Sequence, residues 1–190
     1  MPVDDLPVMP FASAEEWSAW LCEHHADSAG VWVKMAKKSS GTPSVDHPAA
    51  VREALRFGWV DSRRVGFDDR WFLQRFTRRT PRSPWSRINR ETAERLITDG
   101  LMEPAGLAAI QAARADGRWD RAYAGQRTAT VPDDLQAALD AEPAAAEFFA
   151  TLTGVKRYAV LYRVQDAKRP ETRARRIEQF VQMLARGQTL

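Results

Sequence analysis

Six arginines fall within sixteen residues: Arg75, Arg78, Arg79, Arg82, Arg87 and Arg90. Trp71, Phe76 and Trp85 are interleaved with them. A guanidinium fork grips a phosphate or a carboxylate through two parallel N–H bonds, and an aromatic face beside it offers a stacking platform. From Thr77 to Trp85 the segment is punctuated by Pro81 and Pro84, and it then enters a helical pattern near Ser86–Asn89. The unpaired amides and dipole of a helix start favour an anion there. The candidate anion-binding set is therefore Arg75, Arg78, Arg79 and Arg82, flanked by Trp85 and Asn89. The competing use of these arginines is structural, in ion pairs with Asp61, Asp68, Asp69, Glu91 and Glu94 and with acids elsewhere in the fold.

Asp61 stands next to Ser62, Arg63 and Arg64 at the start of a β-rich stretch. A carboxylate in that company suits a salt link or ligand orientation better than general-acid work. It would act as a base or orienting group only if the chain were an enzyme, and no other catalytic residue can be named. His24, His25 and His47 form no ligand set, since the first two are neighbours on a helix and point about 100° apart. No His-x-x-x-His or Cys-x-x-Cys spacing occurs, so a metal site is not expected. Cys22 is the only cysteine, which excludes an intramolecular disulfide, and its place beside an aromatic helix face reads as a small core residue. Gly-x-Gly-x-x-Gly, P-loop and Gly-x-Ser-x-Gly patterns are all missing, and no cofactor is expected. A second basic cluster, Lys168, Arg169, Arg173 and Arg176, opens the last helical stretch. Cations there oppose the helix dipole, so the cluster reads either as a solvated helix end or as a surface for an acidic partner or a nucleic-acid backbone.

Charge is distributed in blocks. Residues 1–55 carry 4 basic and 8 acidic groups, residues 56–95 carry 11 and 5, residues 96–155 carry 4 and 9, and residues 156–190 carry 9 and 3. The net charge of +3 thus hides two basic blocks alternating with two acidic ones. Such blocks speak to association and not to fold. At 44% hydrophobic and 28% charged, the chain of 190 residues has an ordinary globular composition. No apolar run approaches the roughly 18 residues needed to span a bilayer. Met1–Pro10 contains Asp4 and Asp5 and no basic residue, unlike a secretory signal, so the expected location is cytoplasmic.

The elements that must position these residues follow from periodicity and punctuation. Ser13-Ala14-Glu15-Glu16 reads as a capping box ahead of a helix to about residue 25. Val31–Lys37 alternates as a strand, and Asp46 with Pro48 starts a second helix that stops at Gly58. Trp59–Ser62 and Arg70–Phe76 read as two strands around a Gly66/Asp68/Asp69 turn. Trp17, Trp20, Trp59 and Trp71 are the expected core tryptophans. After Trp85 the pattern is helical: a helix ending at Gly100, then Pro104 to Gly117, Pro132 to about Asp140, Pro143–Thr153, Val155–Lys168 and Pro170–Arg186. The expected fold class is α+β, with a small antiparallel sheet of about three strands in the N-terminal half and a helical C-terminal half. The expected division is an α+β body over 1–122 with the central basic segment, and a helical unit over 131–190 packed on it, joined by the polar stretch Asp120–Thr130.

Four ordered motifs stand out between residues 57 and 106: Phe57-Gly58-Trp59-Val60-Asp61-Ser62, Gln74-Arg75-Phe76-Thr77-Arg78-Arg79, Ser83-Pro84-Trp85-Ser86-Arg87-Ile88-Asn89 and Gly100-Leu101-Met102-Glu103-Pro104-Ala105-Gly106. Ala167-Lys168-Arg169-Pro170-Glu171-Thr172-Arg173 and Arg175-Arg176-Ile177 follow. Together they give a chain that, over nearly its whole length, resembles the YdeI/OmpD-associated, or bacteriocin-protection, family. Glu103 departs from the pattern where a helix-capping Thr is expected, and Val60 replaces an expected Ile. The resemblance implies tolerance to bacteriocins or envelope stress and no particular reaction. The leading expectation is a non-enzymatic, anion- or phosphate-binding stress-tolerance protein. The alternatives are an enzyme acting on a phosphorylated or carboxylated small molecule, and sequence-independent nucleic-acid binding. Oligomeric state is not legible.

Overall fold

A computed structural model describes residues 4–190. It is mixed α and β, with a four-stranded sheet in the N-terminal half and helices alone in the C-terminal half. By Cα proximity the chain divides into two compact units: residues up to Trp85 with Asn89–Ala122, and Tyr123–Leu190 with Ser86–Ile88.

In the first unit, β1 (Val8–Pro10) leads into α1 (Ala14–His24), β2 (Val31–Ala36), α2 (His47–Arg56), β3 (Trp59–Gly66) and β4 (Trp71–Arg78). The sheet order is β1-β2-β4-β3. The antiparallel pairs β2–β4 and β4–β3 form the expected three-stranded core of the sheet. The fourth strand, β1, pairs parallel to β2 with Val8 opposite Trp32. Parallel neighbours need a crossover, and α1 supplies it. Three residues ending in proline give no readable alternation, which is why this edge strand has no sequence signal.

Local chemistry fixes the element ends. The Ser13 hydroxyl accepts from the Glu16 amide at 3.4 Å, but the Glu16 carboxylate accepts from Ala12 N at 2.8 Å, one residue short of the reciprocal partner of a capping box. Asp46 caps α2 through Ala49 N at 2.8 Å. Gly58 has φ +71°, and a Cβ there would sit 2.7 Å from the Ala105 carbonyl oxygen, so both backbone hand and space require glycine. The β3–β4 turn is held by Asp68, whose Oδ1 accepts from the Arg70 and Trp71 amides, each at 2.8 Å. β3 also runs four residues beyond the expected Ser62. It does so through a bulge between Asp61 and Arg64. Gln74, buried to 2% exposure, lies opposite and donates to the Ser62 and Arg63 carbonyls. The bulge is thereby satisfied by a side chain, which hid it from a reading of alternation alone.

Two clusters fill this unit. Phe11, Trp17, Leu21, Val31, Val33, Met35, Trp59 and Phe76 pack between the sheet and helices α1 and α2. Trp85, Leu96, Ile110 and Trp119 pack with α3 (Arg87–Thr98) and α4 (Pro104–Ala115). Of the four expected core tryptophans, Trp17 and Trp59 are fully buried, while Trp20 and Trp71 are half-buried. Trp20 stacks on Trp17 at a ring distance of 5.3 Å and keeps an outer edge, and Trp71 sits near Lys34 Nζ at 4.8 Å. Trp32 and Trp85 take the buried places instead.

The second unit holds α5 (Asp133–Asp140), α6 (Pro143–Thr151), α7 (Gly154–Gln165) and α8 (Pro170–Ala185). Their starts at or beside Pro132, Pro143, Gly154 and Pro170 follow the punctuation of the sequence. Leu135, Leu139, Phe149, Val160, Val164, Phe180 and Leu184 form its core. Tyr158 donates its hydroxyl to the Ala124 carbonyl at 3.0 Å, and burial, with Tyr123 and Tyr162 nearby, pushes its pKa up to about 12. No helix among the described residues is long and apolar enough to cross a membrane.

Candidate functional site

The arginine segment is an ordered turn and not a loose loop. The Ser83 amide donates to the Thr80 carbonyl, the Thr80 amide to Ser83 Oγ, and the Arg82 amide to Thr80 Oγ1. Arg118, only 12% exposed, clamps it by donating Nη1 to the Ser83 carbonyl at 2.9 Å and the Thr80 carbonyl at 3.3 Å. Its Nε is held by both Asp116 oxygens, at 2.7 and 2.9 Å. The hydrogen bond from Arg118 holds the Asp116 carboxyl below its ordinary range. Sequence reasoning missed Arg118, which lies 35 residues from Ser83 along the chain.

The candidate arginines have separate surroundings. Arg75 donates Nε to Asp4 Oδ2 at 2.7 Å. Arg78, exposed, donates Nη1 to the Ala26 carbonyl at 2.7 Å, and its Nε and Nη2 make no hydrogen bond among the described residues. Arg79 donates Nη1 to the Pro84 carbonyl at 3.0 Å and lies over the Trp85 ring at 3.6 Å. Trp85 in turn meets Trp119 edge-on at 4.8 Å, so Arg79 and Trp85 are the layer beneath the turn. Arg82 is exposed at the tip, and its guanidinium has no partner among the described residues. Asn89 is half-buried in the first turn of α3.

In the other basic cluster, Arg173 is engaged in a fork on Asp134, with Nε to Oδ2 at 2.5 Å and Nη2 to Oδ1 at 2.7 Å. Its Nη1 reaches the Val164 carbonyl at 2.8 Å. That pairing lowers the Asp134 pKa and raises that of Arg173. Arg176 donates to the Arg163 carbonyl and lies 3.7 Å from Asp166. Lys168 and Arg169 are exposed just ahead of α8.

Asp61 meets His47 and not the neighbouring arginines: His47 Nε2 lies 3.0 Å from Asp61 Oδ2. The bulge that begins at Asp61 displaces Arg63 and Arg64 along β3, and Arg64 donates to Gln74 Oε1 instead. Among the described residues no group of three or more His, Cys, Asp or Glu is gathered as a metal site would require.

Cys22 is exposed, contrary to the reading of a core position. The buried stripe of α1 runs through Trp17 and Leu21, and Cys22 is about 100° further round the helix. It lines an open cleft of about 500 Å³. On the floor of this cleft is Glu53, 4% exposed, gripped by Arg52 Nη1 at 2.6 Å and Arg56 Nη1 at 2.5 Å. Arg56 also donates to Ser18 Oγ, to the Leu101 carbonyl and to Glu103 Oε1. That last bond explains the departure at position 103: Glu103 leaves the start of α4 without a side-chain cap and ties it to α2.

Residues 128–187 match the family described as bacteriocin-protection, YdeI or OmpD-associated. Residues 9–109 match a different family, a domain of unknown function designated DUF8412. No curated protein and no solved structure matches the chain. The YdeI/OmpD match is therefore narrower than the sequence resemblance suggested: Lys168–Ile177 lies inside it, and the four motifs between 57 and 106 lie inside the other. Those four are rich in fold punctuation, such as Gly58 closing α2 and Pro104 opening α4, and such signals recur wherever helices meet strands. The chain belongs to the DUF8412 family through its α+β segment, and over residues 128–187 it carries the YdeI/OmpD-associated domain.

Proposed function

We propose that this protein is a non-enzymatic anion-binding protein of the cytoplasm, contacting phosphate or carboxylate groups at the turn Thr80–Ser83. One observation carries the reading. The turn is fixed from beneath by Arg118, while the guanidinium of Arg82 at its tip has no partner among the described residues. A cation held on a rigid, exposed turn loses little entropy when it binds, which favours a ligand contact over a fluctuating surface charge. Arg78 adds the guanidinium edge that Ala26 does not use. Arg79 and Trp85 support the turn from below, and Arg75 is committed to Asp4. In the second basic cluster, Lys168 and Arg169 are the members open to an acidic partner. The description of the family matched over 128–187 supports a role in stress tolerance.

A second reading, an enzyme, draws on the His47–Asp61 pair at 3.0 Å, the arrangement in which a carboxylate orients an imidazole. Titration calorimetry with pyrophosphate at low salt tests the first reading. Binding that weakens tenfold or more in Arg82→Ala, with an unchanged melting temperature, is expected. Absent binding in the parent protein, or equal binding in the variant, overturns it.

A further inference from the structure

The cleft over Glu53 has no part in that reading. We infer that it is a binding site for a small zwitterion, an amino acid or dipeptide, whose carboxylate is taken by Arg52 and whose ammonium is taken by Glu15 and Glu103.

The argument begins with the buried carboxylate. An ionised side chain at 4% exposure is costly unless it is fully paired, and Glu53 is paired at both oxygens, by Arg52 and by Arg56. Arg56 is used up: its Nε binds the Leu101 carbonyl, its Nη1 binds Ser18 as well as Glu53, and its Nη2 binds Glu103. It is a structural tie among α1, α2 and the start of α4. Arg52 is different. Only its Nη1 has a hydrogen-bond partner among the described residues, and its side chain is 46% exposed at the cleft wall. Glu53 therefore anchors one edge of the Arg52 guanidinium and leaves the other edge preset for a planar acceptor such as a carboxylate.

The charges of the lining select the rest of the ligand. Arg52 and Arg56 face Glu15, Glu53 and Glu103, so the walls carry one more negative than positive charge. A dicarboxylate meets Glu15 and Glu103 and is repelled, and a diamine meets Arg52. A molecule with one charge of each sign meets both. The volume of about 500 Å³ lies within the range of small-ligand sites, and Ala14, Ala19 and Phe57 supply apolar wall for a short side chain.

Cys22 gives a direct readout, because it is the only thiol in the chain, is exposed, and lines this cleft. The rate of its reaction with a chromogenic aromatic disulfide should be measured against rising concentrations of L-alanine, L-valine and Gly-Ala, with putrescine and succinate as single-sign probes. At least one of the zwitterions should slow the reaction fivefold or more at saturation, while putrescine and succinate leave it within twofold. Arg52→Gln, whose amide can still donate to Glu53, should stay folded with a lowered melting temperature and, measured against its own unliganded rate, raise the half-protecting concentration at least tenfold. Glu15→Gln, on the exposed first turn of α1, should weaken protection in the same direction. No protection by any zwitterion at about 20 mM (a Kd there is worth only about 2.3 kcal/mol), equal protection by a single-sign probe, or full protection retained in Arg52→Gln would each overturn the inference.

Discussion

Replacing Trp17 by alanine removes the centre of the aromatic layer between α1 and the sheet. Trp17 is fully buried, and its ring lies 5.0 Å from Phe11, 5.3 Å from Trp20 and 5.3 Å from Phe76. Its Nε1 donates to the Ala50 carbonyl at 3.0 Å, which fastens α1 to α2. Truncating a buried tryptophan costs about 3–5 kcal/mol through lost transfer energy and the cavity left behind. Trp17→Phe keeps most of the ring contacts and loses chiefly the hydrogen bond and part of the ring, so it should cost about 1–2 kcal/mol. Native domains hold roughly 5–15 kcal/mol, so the alanine variant should lose a large share of its stability. The urea midpoint should fall by about 2 M, given a slope of roughly 1–3 kcal/mol per molar. The sequence provides its own probes: all seven tryptophans lie in the first unit and all three tyrosines in the second. Tryptophan fluorescence therefore follows the first unit during unfolding, and tyrosine absorbance follows the second. A loss below about 1 kcal/mol by fluorescence, or equal losses for alanine and phenylalanine, would refute the packing argument.

Arg118→Ala should free the 80–83 turn, seen as faster amide exchange at Ser83 and Arg82, and leave Asp116 without its clamp; unchanged exchange would show that the turn is held by its own bonds. Ultraviolet titration should show one tyrosine ionising near pH 12. Because the folded pKa of Tyr158 lies above the unfolded value of about 10, its contribution is intact below pH 10 and lost as pH rises towards 12. Tyr158→Phe should remove that alkaline loss, and a melting curve equally pH-dependent in both proteins would contradict it. Asp134 shifts the other way: Arg173 lowers its pKa, so that stability is present above the ordinary carboxylate range and lost as pH falls through the lowered value. Arg173→Ala should flatten the acid limb of the melting curve for the second unit, and an unchanged limb would refute the link. Thermal melts with and without a chelator should coincide, and a drop of several degrees on chelation would point to a metal the residues give no sign of.

What the sequence makes legible is set by the range of the interaction. Proline, glycine and Asp46 act within a few residues, so α2 and α5 to α8 could be placed to within about three residues at each end. The strand β1 is too short for alternation, and the bulge in β3 depends on Gln74 from the next strand. Exposure of Cys22 follows from which stripe of α1 meets the sheet, and Trp17, Trp20, Leu21 and Cys22 are all apolar enough to leave that stripe ambiguous. The arginine segment was visible as composition. Its sorting was not: Arg75 finds Asp4, 71 positions away, and Arg79 finds Trp85 by stacking, while the Arg82 guanidinium finds nothing among the described residues. The cleft over Glu53 had no sequence signal, because its walls come from three helices and Glu103 only looked like a missing cap.

The most direct test of the anion-binding account is the salt dependence of polyphosphate binding by the parent protein and by Arg78→Ala/Arg82→Ala, with both melted in the same buffers. Each arginine that neutralises a phosphate contributes roughly 0.7 to the slope of log affinity against log salt on a single chain. The account predicts steep salt dependence in the parent, a slope flatter by about 1.4 in the double variant, and a melting temperature lowered by no more than the few degrees that loss of the Arg78–Ala26 hydrogen bond entails. No binding by the parent at low salt, or a slope unchanged by the double substitution, would contradict it.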